Sequence, residues 1–165
     1  MAYENGVQKL LLTDEGYVTL SDSKYHYYLK DHQGNNRVVI NQSGTVEETN
    51  HYYPFGGVFA NTGNTQPYKY NGKEFDGKKG VNLYDYGARH YDAALGRLTT
   101  VDPLAEKYYP MSPYVYCGNN PIRYIDPTGM FYTGFAIDKN GYIQKVNNEG
   151  GDEYDVIYNL SLIHI

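Results

Sequence analysis

The sequence predicts an all-β protein built from antiparallel hairpins. Turn signals rich in Gly, Asn and Asp recur about every 8–12 residues, as in antiparallel arrays. The segments between them are enriched in Tyr and Val, which favour strands. The 165 residues include 21 Tyr, 18 Gly and no Trp. Because Tyr combines a large apolar ring with a hydroxyl that needs a hydrogen-bond partner, we expect broad sheet faces that are partly solvated.

The first third of the chain contains the clearest hairpins. Asp14-Glu15-Gly16 predicts the first turn, residues 31–35 the second and Ser43-Gly44 the third. The strands predicted around these turns are residues 8–13, 17–20, 25–29, 37–40 and 46–53. Such near-repetition indicates a repeat architecture, in which each hairpin needs its neighbour to bury a face.

Later segments predict shorter elements. Asn61 to Gln66 is polar and predicts an exposed loop, and Asn71-Gly72 predicts a tight turn after a strand at 68–70. The remaining predicted elements are one strand at 83–91, helical turns at 104–107 and 114–117, an extended segment at 122–125, and a hairpin turning at 139–141. Residues 96–99 lead into Asp102-Pro103.

Composition argues against several classes of function. The net charge is −5 without a run of Lys and Arg, which argues against a nucleic-acid interface. No apolar run approaches the ~20 residues of a membrane helix, and no export signal opens the chain. The single Cys117 forms no intrachain disulfide and has no evident His and acid partners. The histidines lack metal-ligand spacing and residues 138–141 match only part of a calcium loop, so we predict neither metal nor cofactor.

Two Asp-Pro pairs carry the candidate chemistry: Asp102-Pro103 and Asp126-Pro127. Peptide hydrolysis by carboxylates needs two that share a proton, one ionised and one neutral. Arg97 is a candidate to orient one aspartate or the scissile carbonyl. The alternative remains open that both aspartates only shape turns and that Arg97 is an ordinary surface arginine.

The residues resemble the Rhs family. YHYYLKDHQGNNRVVI resembles its tyrosine-aspartate (YD) repeat, and residues 68–130 resemble the Rhs repeat-associated core domain through YGARHYD, GR…DP, YCGNNP and DPTG. The resemblance implies strands that spiral into a hollow shell, with the core domain plugging one end. It also implies that the core domain cuts its own backbone after the motif Asp126-Pro127-Thr128-Gly129-Met130, between Met130 and Phe131. Met130 and Ala105 depart from the Leu and Gly that many relatives carry at these places.

The resemblance further implies a domain plan and partners. Residues 1–24 are partial repeat strands, 25–130 the core domain, and 131–165 a truncated variable region whose last six residues, 160–165, match a translated sequencing adaptor. The implied function is a fragment of a bacterial polymorphic toxin, secreted or at the cell surface. Its partners would be its own C-terminal toxin segment, enclosed in the shell, and secretion-system or immunity proteins.

Three hypotheses follow. The first is a single-turnover aspartyl-type autoprotease that acts in cis within the toxin. The second is a non-catalytic YD-repeat module for adhesion or structure. The third, an independent enzyme acting on outside substrates, has no pocket signature in the sequence. The distance between the Asp102 and Asp126 carboxylates distinguishes the first hypothesis from the second.

Overall fold

A computed structural model describes residues 2–4, 6–77, 80–137 and 143–146 of the chain. The chain divides into two units, residues 1–76 and residues 77–165. The structure is all-β with antiparallel pairing, as predicted, and its helical parts within the described ranges are short 3-10 turns. The boundary at residue 76 falls inside the segment 25–130 predicted as one domain, and the predicted domain plan stays a prediction.

The first unit contains a seven-stranded meander in which each strand pairs with the next along the chain. Its strands are β1 (Ala2–Glu4), β2 (Val7–Thr13), β3 (Gly16–Thr19), β4 (Lys24–Lys30), β5 (Asn36–Asn41), β6 (Val46–Tyr52) and β7 (Val58–Thr62), followed by the short β8 (Glu74–Asp76). Asx side chains close the second and third predicted turns. Asp31 Oδ1 accepts hydrogen bonds from the amides of Gln33 and Asn35, and Asn41 Oδ1 does the same for the amides two and four residues on.

The first unit has a polar centre. Glu48 on β6 is fully buried and accepts hydrogen bonds from Lys69 Nζ at 2.5 Å, Asn50 Nδ2 at 2.6 Å and the Thr65 amide at 2.7 Å. Burial alone would raise the Glu48 pKa, but the hydrogen bonds from Asn50 and Lys69 and the Lys69 charge hold it below its ordinary value. This ion pair ties the segment after β7 to the sheet.

The second unit has a tyrosine core. Its described strands are β9 (Leu83–Asp85), β10 (His90–Asp92), β11 (Arg97–Leu98), β12 (Tyr124–Ile125), β13 (Thr133–Ile137) and β14 (Ile143–Val146). Tyr86, Tyr91 and Tyr116 are at most 1% exposed; the Tyr91 and Tyr116 rings lie 4.0 Å apart, and the Tyr86 and Tyr116 hydroxyls are 2.9 Å apart. The hydroxyl pair satisfies both polar groups inside the core, as buried Tyr requires.

Two predicted elements of the second unit are wrong. The single strand predicted at 83–91 is two strands, because the Gly87 amide donates to Asp85 Oδ1 and Gly87 takes a φ of +92° in the turn between them. The helical turn predicted at 114–117 lies further on, at Cys117–Asn119, because Val115 bridges to Arg97 and Tyr116 is extended. The other predicted helical turn forms one residue later than expected, at Ala105–Tyr108.

One prediction in the first unit is also wrong, and a second holds only in part. Residues 68–70 form no strand; Tyr68 makes a lone bridge to Glu74, and a 3-10 turn follows at Tyr70–Gly72. The predicted loop at 61–66 begins inside β7 and ends at Gln66, which is 4% exposed and donates to Glu48.

The region after residue 130 pairs with the region before it. The extended segment predicted at 122–125 forms β12, which pairs with β13, and β13 pairs with β14 as the predicted tail hairpin. The turn and partial calcium loop at 138–141 and the predicted adaptor residues 160–165 lie outside the described residues.

Candidate functional site

The site is built around Arg89, which lies between the two aspartates. Its Nη2 is 2.9 Å from Asp102 Oδ2 and 3.8 Å from Asp126 Oδ2. Among the described contacts, no hydrogen bond joins the two carboxylates directly. The structure therefore brings the predicted aspartates to one place, but a guanidinium group bridges them where the sequence predicted a shared proton.

The two carboxylate oxygens of Asp102 have different partners. Oδ1 accepts a hydrogen bond from the Leu104 amide at 2.8 Å, and the Asp102 carbonyl accepts one from Ala105 at 3.0 Å. These bonds fold the chain into the turn that carries Pro103, whose ring is exposed. Oδ2 is left to face Arg89.

Asp126 also uses Oδ1 to close its own turn, but it is more deeply buried than Asp102. Its Oδ1 accepts hydrogen bonds from the Thr128 amide at 3.1 Å and the Gly129 amide at 2.7 Å, which closes the turn over Pro127. The residue is 3% exposed. Burial raises the Asp126 pKa above its ordinary value, although the turn amides and the Arg89 charge oppose the shift. Asp126 therefore keeps its proton to a higher pH than an exposed aspartate does.

Arg89 is held in place by contacts to three segments. It lies in the turn before β10 and is 3% exposed. Nη1 donates to the Pro113 carbonyl at 3.0 Å, and Nε donates to the Gly129 carbonyl. A fixed, buried guanidinium presents its donors in one orientation, which suits it to orient carboxylates.

Gly129 is required by both its conformation and its surroundings. Its φ is +78°, a region that favours glycine. A Cβ at this position would lie 3.0 Å from the Arg89 backbone nitrogen and 3.2 Å from the Tyr86 Cβ. The glycine of the DPTG motif therefore lets the turn pack directly against Arg89.

Arg97 lies elsewhere in the second unit. It is exposed, and its guanidinium carbon is 4.7 Å from the centre of the Tyr114 ring. Sequence reasoning missed Arg89, although it is the arginine of the quoted motif YGARHYD. Its distance in sequence from Asp102, 13 residues, gave no local spacing to recognise.

The predicted cleavage site shares a cavity with these charged groups. Arg89, Asp102 and Asp126 line it together with Met130 and Phe131. Its other walls are Ala105, Tyr108, Met111, Ser112, Pro113, Val115, Cys117 and Tyr132. The arrangement places two carboxyl groups, a cation and one defined peptide bond around a single small space.

Two other cavity residues have altered acidity. Burial, followed by the charges of Asp102 and Asp126, raises the pKa of Tyr108, so its hydroxyl keeps its proton. Burial also raises the pKa of the Cys117 thiol, which disfavours the nucleophilic thiolate. Cys117 is nevertheless held at a φ of +49°, unusual for a residue other than Gly, Asn or Asp.

No group of three or more potential metal ligands occurs among the described residues. His26, in the first unit, instead lies 2.6 Å from Glu47 and 2.8 Å from Thr19, and its ring stacks on Tyr17. Within the described ranges, no helix has the length and apolar character to span a membrane.

Comparison with known proteins gives relatives but no matching family model. Salivary gland surface protein 1 of Aedes aegypti is 41% identical over 112 residues, covering 66% of this chain and 3% of that protein. Toxin subunit YenC2 of Yersinia entomophaga is 37% identical over 97 residues, covering 55% of this chain and 10% of that protein. The chain thus spans a tenth or less of the length of these curated relatives.

Solved structures give the same relationship. The chain is similar to a TcdB2-TccC3-Cdc42 structure with 28% identity and a TM-score of 0.59, and to a Photorhabdus luminescens Tc holotoxin pore with 27% identity and a TM-score of 0.60; each match covers 66% of this chain and 5% of the other. A TcdB2-TccC3 structure without its hypervariable C-terminal region has 22% identity and a TM-score of 0.62, and supports the fold alone. The chain is therefore a homologue of Tc toxin components.

Proposed function

We propose that this chain cleaves its own backbone between Met130 and Phe131, using Asp102, Asp126 and Arg89. One observation carries the proposal: the two aspartates, the buried arginine and both residues of the predicted scissile bond line one cavity. The enclosing protein would be a secreted or cell-surface toxin of the Rhs type, and the cut would free its C-terminal segment. The homology to toxin subunits supports this context.

The two aspartates take different roles in the proposed reaction. Asp102 accepts a proton from a water molecule, whose oxygen attacks the Met130 carbonyl carbon. Asp126 donates its proton to the Phe131 nitrogen as the carbon–nitrogen bond breaks. We assign Asp126 as the acid because burial raises its pKa. The products are a carboxyl group on Met130 and an amine on Phe131.

Arg89 supplies the positive charge of the reaction. It holds Asp102 and stabilises negative charge that develops on the attacked carbonyl oxygen. The substrate is part of the same chain, so the bond is present at high effective concentration without a binding step. A single turnover per molecule completes the reaction.

Mass spectrometry tests the proposal. Wild type, Asp102→Asn and Asp126→Asn are produced both as the 165-residue chain and as the whole product of its gene. We expect an amino terminus at Phe131 in wild type and an uncut chain in each variant. A cut at Asp126-Pro127 would be acid lability of an Asp-Pro bond and does not count as support. A folded wild-type gene product that stays uncut would overturn the proposal.

A non-catalytic shell or surface module is the second candidate. One observation favours it: Oδ1 of each aspartate accepts a hydrogen bond from a backbone amide of its own turn, as expected of a turn residue. The relative named as a surface protein is consistent with it. Under this candidate, the wild-type protein would stay uncut, and Asp126→Asn would change its stability only.

A further inference from the structure

A second aromatic cluster lies just beyond the predicted cut, at Tyr132. Its ring centre is 5.9 Å from that of Tyr108, with the planes 29° apart, and 5.1 Å from that of Tyr124. Its hydroxyl donates to Met111 Sδ at 3.8 Å. Tyr132 is therefore held on several sides although it lies only two residues after Met130.

The chain is also fixed immediately before the predicted cut. The Gly129 amide donates to Asp126 Oδ1 at 2.7 Å, and the Gly129 carbonyl accepts from Arg89 Nε. The Met130–Phe131 peptide thus runs between two anchors, Gly129 on one side and the Tyr132 ring on the other. Met130 and Phe131 themselves line the cavity with the three charged residues.

We infer that Tyr132 is a positioning residue for self-cleavage, and that the Tyr108, Tyr124 and Met111 side chains form a subsite selective for an aromatic residue at the second place after the cut. The inference rests on the proposed function. Peptide hydrolysis requires the carbonyl carbon and the leaving nitrogen to face the catalytic groups, and small misplacements cost large factors in rate. Strand pairing of Thr133 with Ile125 fixes the next residue, but the Tyr132 ring fixes the torsion nearer the bond.

The inference gives Tyr108 a reason to line the cavity. Its ring packs against Tyr132, and its side chain lines the same cavity as Asp102 and Asp126. One side chain therefore links the anchor to the charged groups. Truncating either member of the Tyr108–Tyr132 pair should disturb the same geometry.

The test is a cleavage time course on the whole gene product. We expect Tyr132→Phe to be cut near the wild-type rate, because it keeps both ring contacts. Tyr132→Ala should be cut about 10- to 100-fold more slowly. Tyr109→Ala is the matched control, since Tyr109 is the neighbouring tyrosine and is 91% exposed; it should be cut like wild type.

A double-mutant cycle separates positioning from general destabilisation. Tyr108→Ala combined with Tyr132→Ala should be no slower than the slower single variant, because both remove one interaction. Thermal unfolding of the same variants in an uncleavable Asp126→Asn background shows whether each folds. If Tyr132→Ala does not fold, the rates of Tyr132→Phe and Tyr132→Leu decide: the aromatic variant must be cut faster.

The outcomes distinguish this inference from the proposed function. Cleavage of Tyr132→Ala, or of a folded Tyr132→Leu, at the wild-type rate overturns the inference, while loss of cleavage in Asp102→Asn and Asp126→Asn leaves the proposed function standing. An uncut wild type overturns the proposed function and the inference with it.

Discussion

Among the described residues, Arg89 carries the most of the candidate site, because its guanidinium group contacts both aspartates and the DPTG turn. Its fork of donors explains why one side chain meets three segments at once. A lysine in its place would keep the charge but could not reproduce this geometry.

We therefore predict that Arg89→Lys lowers the rate of self-cleavage by at least about 100-fold, the usual cost of losing a preorganised stabilising group. Arg97→Lys should be cut at the wild-type rate, because Arg97 is exposed and packs on Tyr114. The rate is measured as appearance of the Phe131 amino terminus. Equal rates for the two variants would show that Arg89 has no special part in the reaction.

Asp126 makes a prediction about pH. Its pKa is raised by burial above 3.8, so its proton is retained above that pH and lost as pH rises through the native pKa. If Asp126 is the acid, the cleavage rate must fall as pH rises through the native pKa of Asp126, because the deprotonated form cannot donate a proton. A rate that increases through this range would assign the acid role to another group.

Stability gives an independent check of the same shift. A raised native pKa contributes stability that is present below 3.8 and is lost as pH rises through the native value. In an Asp102→Asn background, which removes cleavage, adding Asp126→Asn removes the titration. The stability difference between the two proteins, measured by urea unfolding, should shift in favour of Asp126→Asn as pH rises.

The sequence pointed to both aspartates of the candidate site but not to its arginine, for a physical reason. An Asp-Pro pair is a local signal, since both residues act on the turn in which they stand. The contact between Arg89 and Gly129 joins residues 40 positions apart and exists only once the turns have folded. The same holds for Tyr132, whose neighbours Tyr108 and Met111 lie in another segment.

At the scale of elements, the polar centre of the first unit holds the meander and its following segment together. Glu48 and Lys69 are fully or almost fully buried and lie 2.5 Å apart. Removing one member of a buried pair leaves an uncompensated charge, which usually costs about 3–5 kcal/mol. The pair therefore matters more than a surface salt bridge does.

We predict that Lys69→Met lowers the unfolding free energy of the first unit by about 3–5 kcal/mol, measured by urea denaturation. Lys24→Met is the control, because the Lys24–Asp22 pair is exposed, and it should leave the urea midpoint unchanged. The lowered Glu48 pKa adds a pH effect: its stabilisation is present above 4.5 and is lost as pH falls through the native pKa. Equal midpoints for wild type and Lys69→Met would mean that the pair does not hold the unit together.

The elements show where sequence patterns succeed and fail. Strands 8–13, 25–29 and 37–40 were predicted to within about a residue at each end, because turn signals and strand-favouring residues agree there. The strand predicted at 83–91 was too long, because Tyr86 and Arg89, which lie in the turn, are residue types that also occur in strands. Those two side chains point inward to the core and the site, and tertiary contacts decided their conformation.

At the scale of the whole molecule, the predicted cut does not separate the chain into independent parts. Strand β12 precedes the Met130–Phe131 bond and β13 follows it, yet the two pair through Tyr124–Gly134 and Ile125–Thr133. Thr133 is 2% exposed, and Tyr132 is held by Tyr108 and Tyr124. Breaking one peptide bond leaves all of these contacts in place.

We therefore predict that the cleaved fragments stay bound to each other under native conditions. Gel filtration should give one peak containing both fragments, and denaturing electrophoresis of that peak should resolve them. Thr133→Pro, which removes a backbone donor from the paired strand, should weaken the association. Residues 1–130 and 131–165 produced as two separate chains should also co-purify, a test that does not depend on self-cleavage. Separate elution of the fragments would contradict the pairing. A joint peak would show that cutting the bond is not sufficient to separate the fragments while β12 and β13 stay paired.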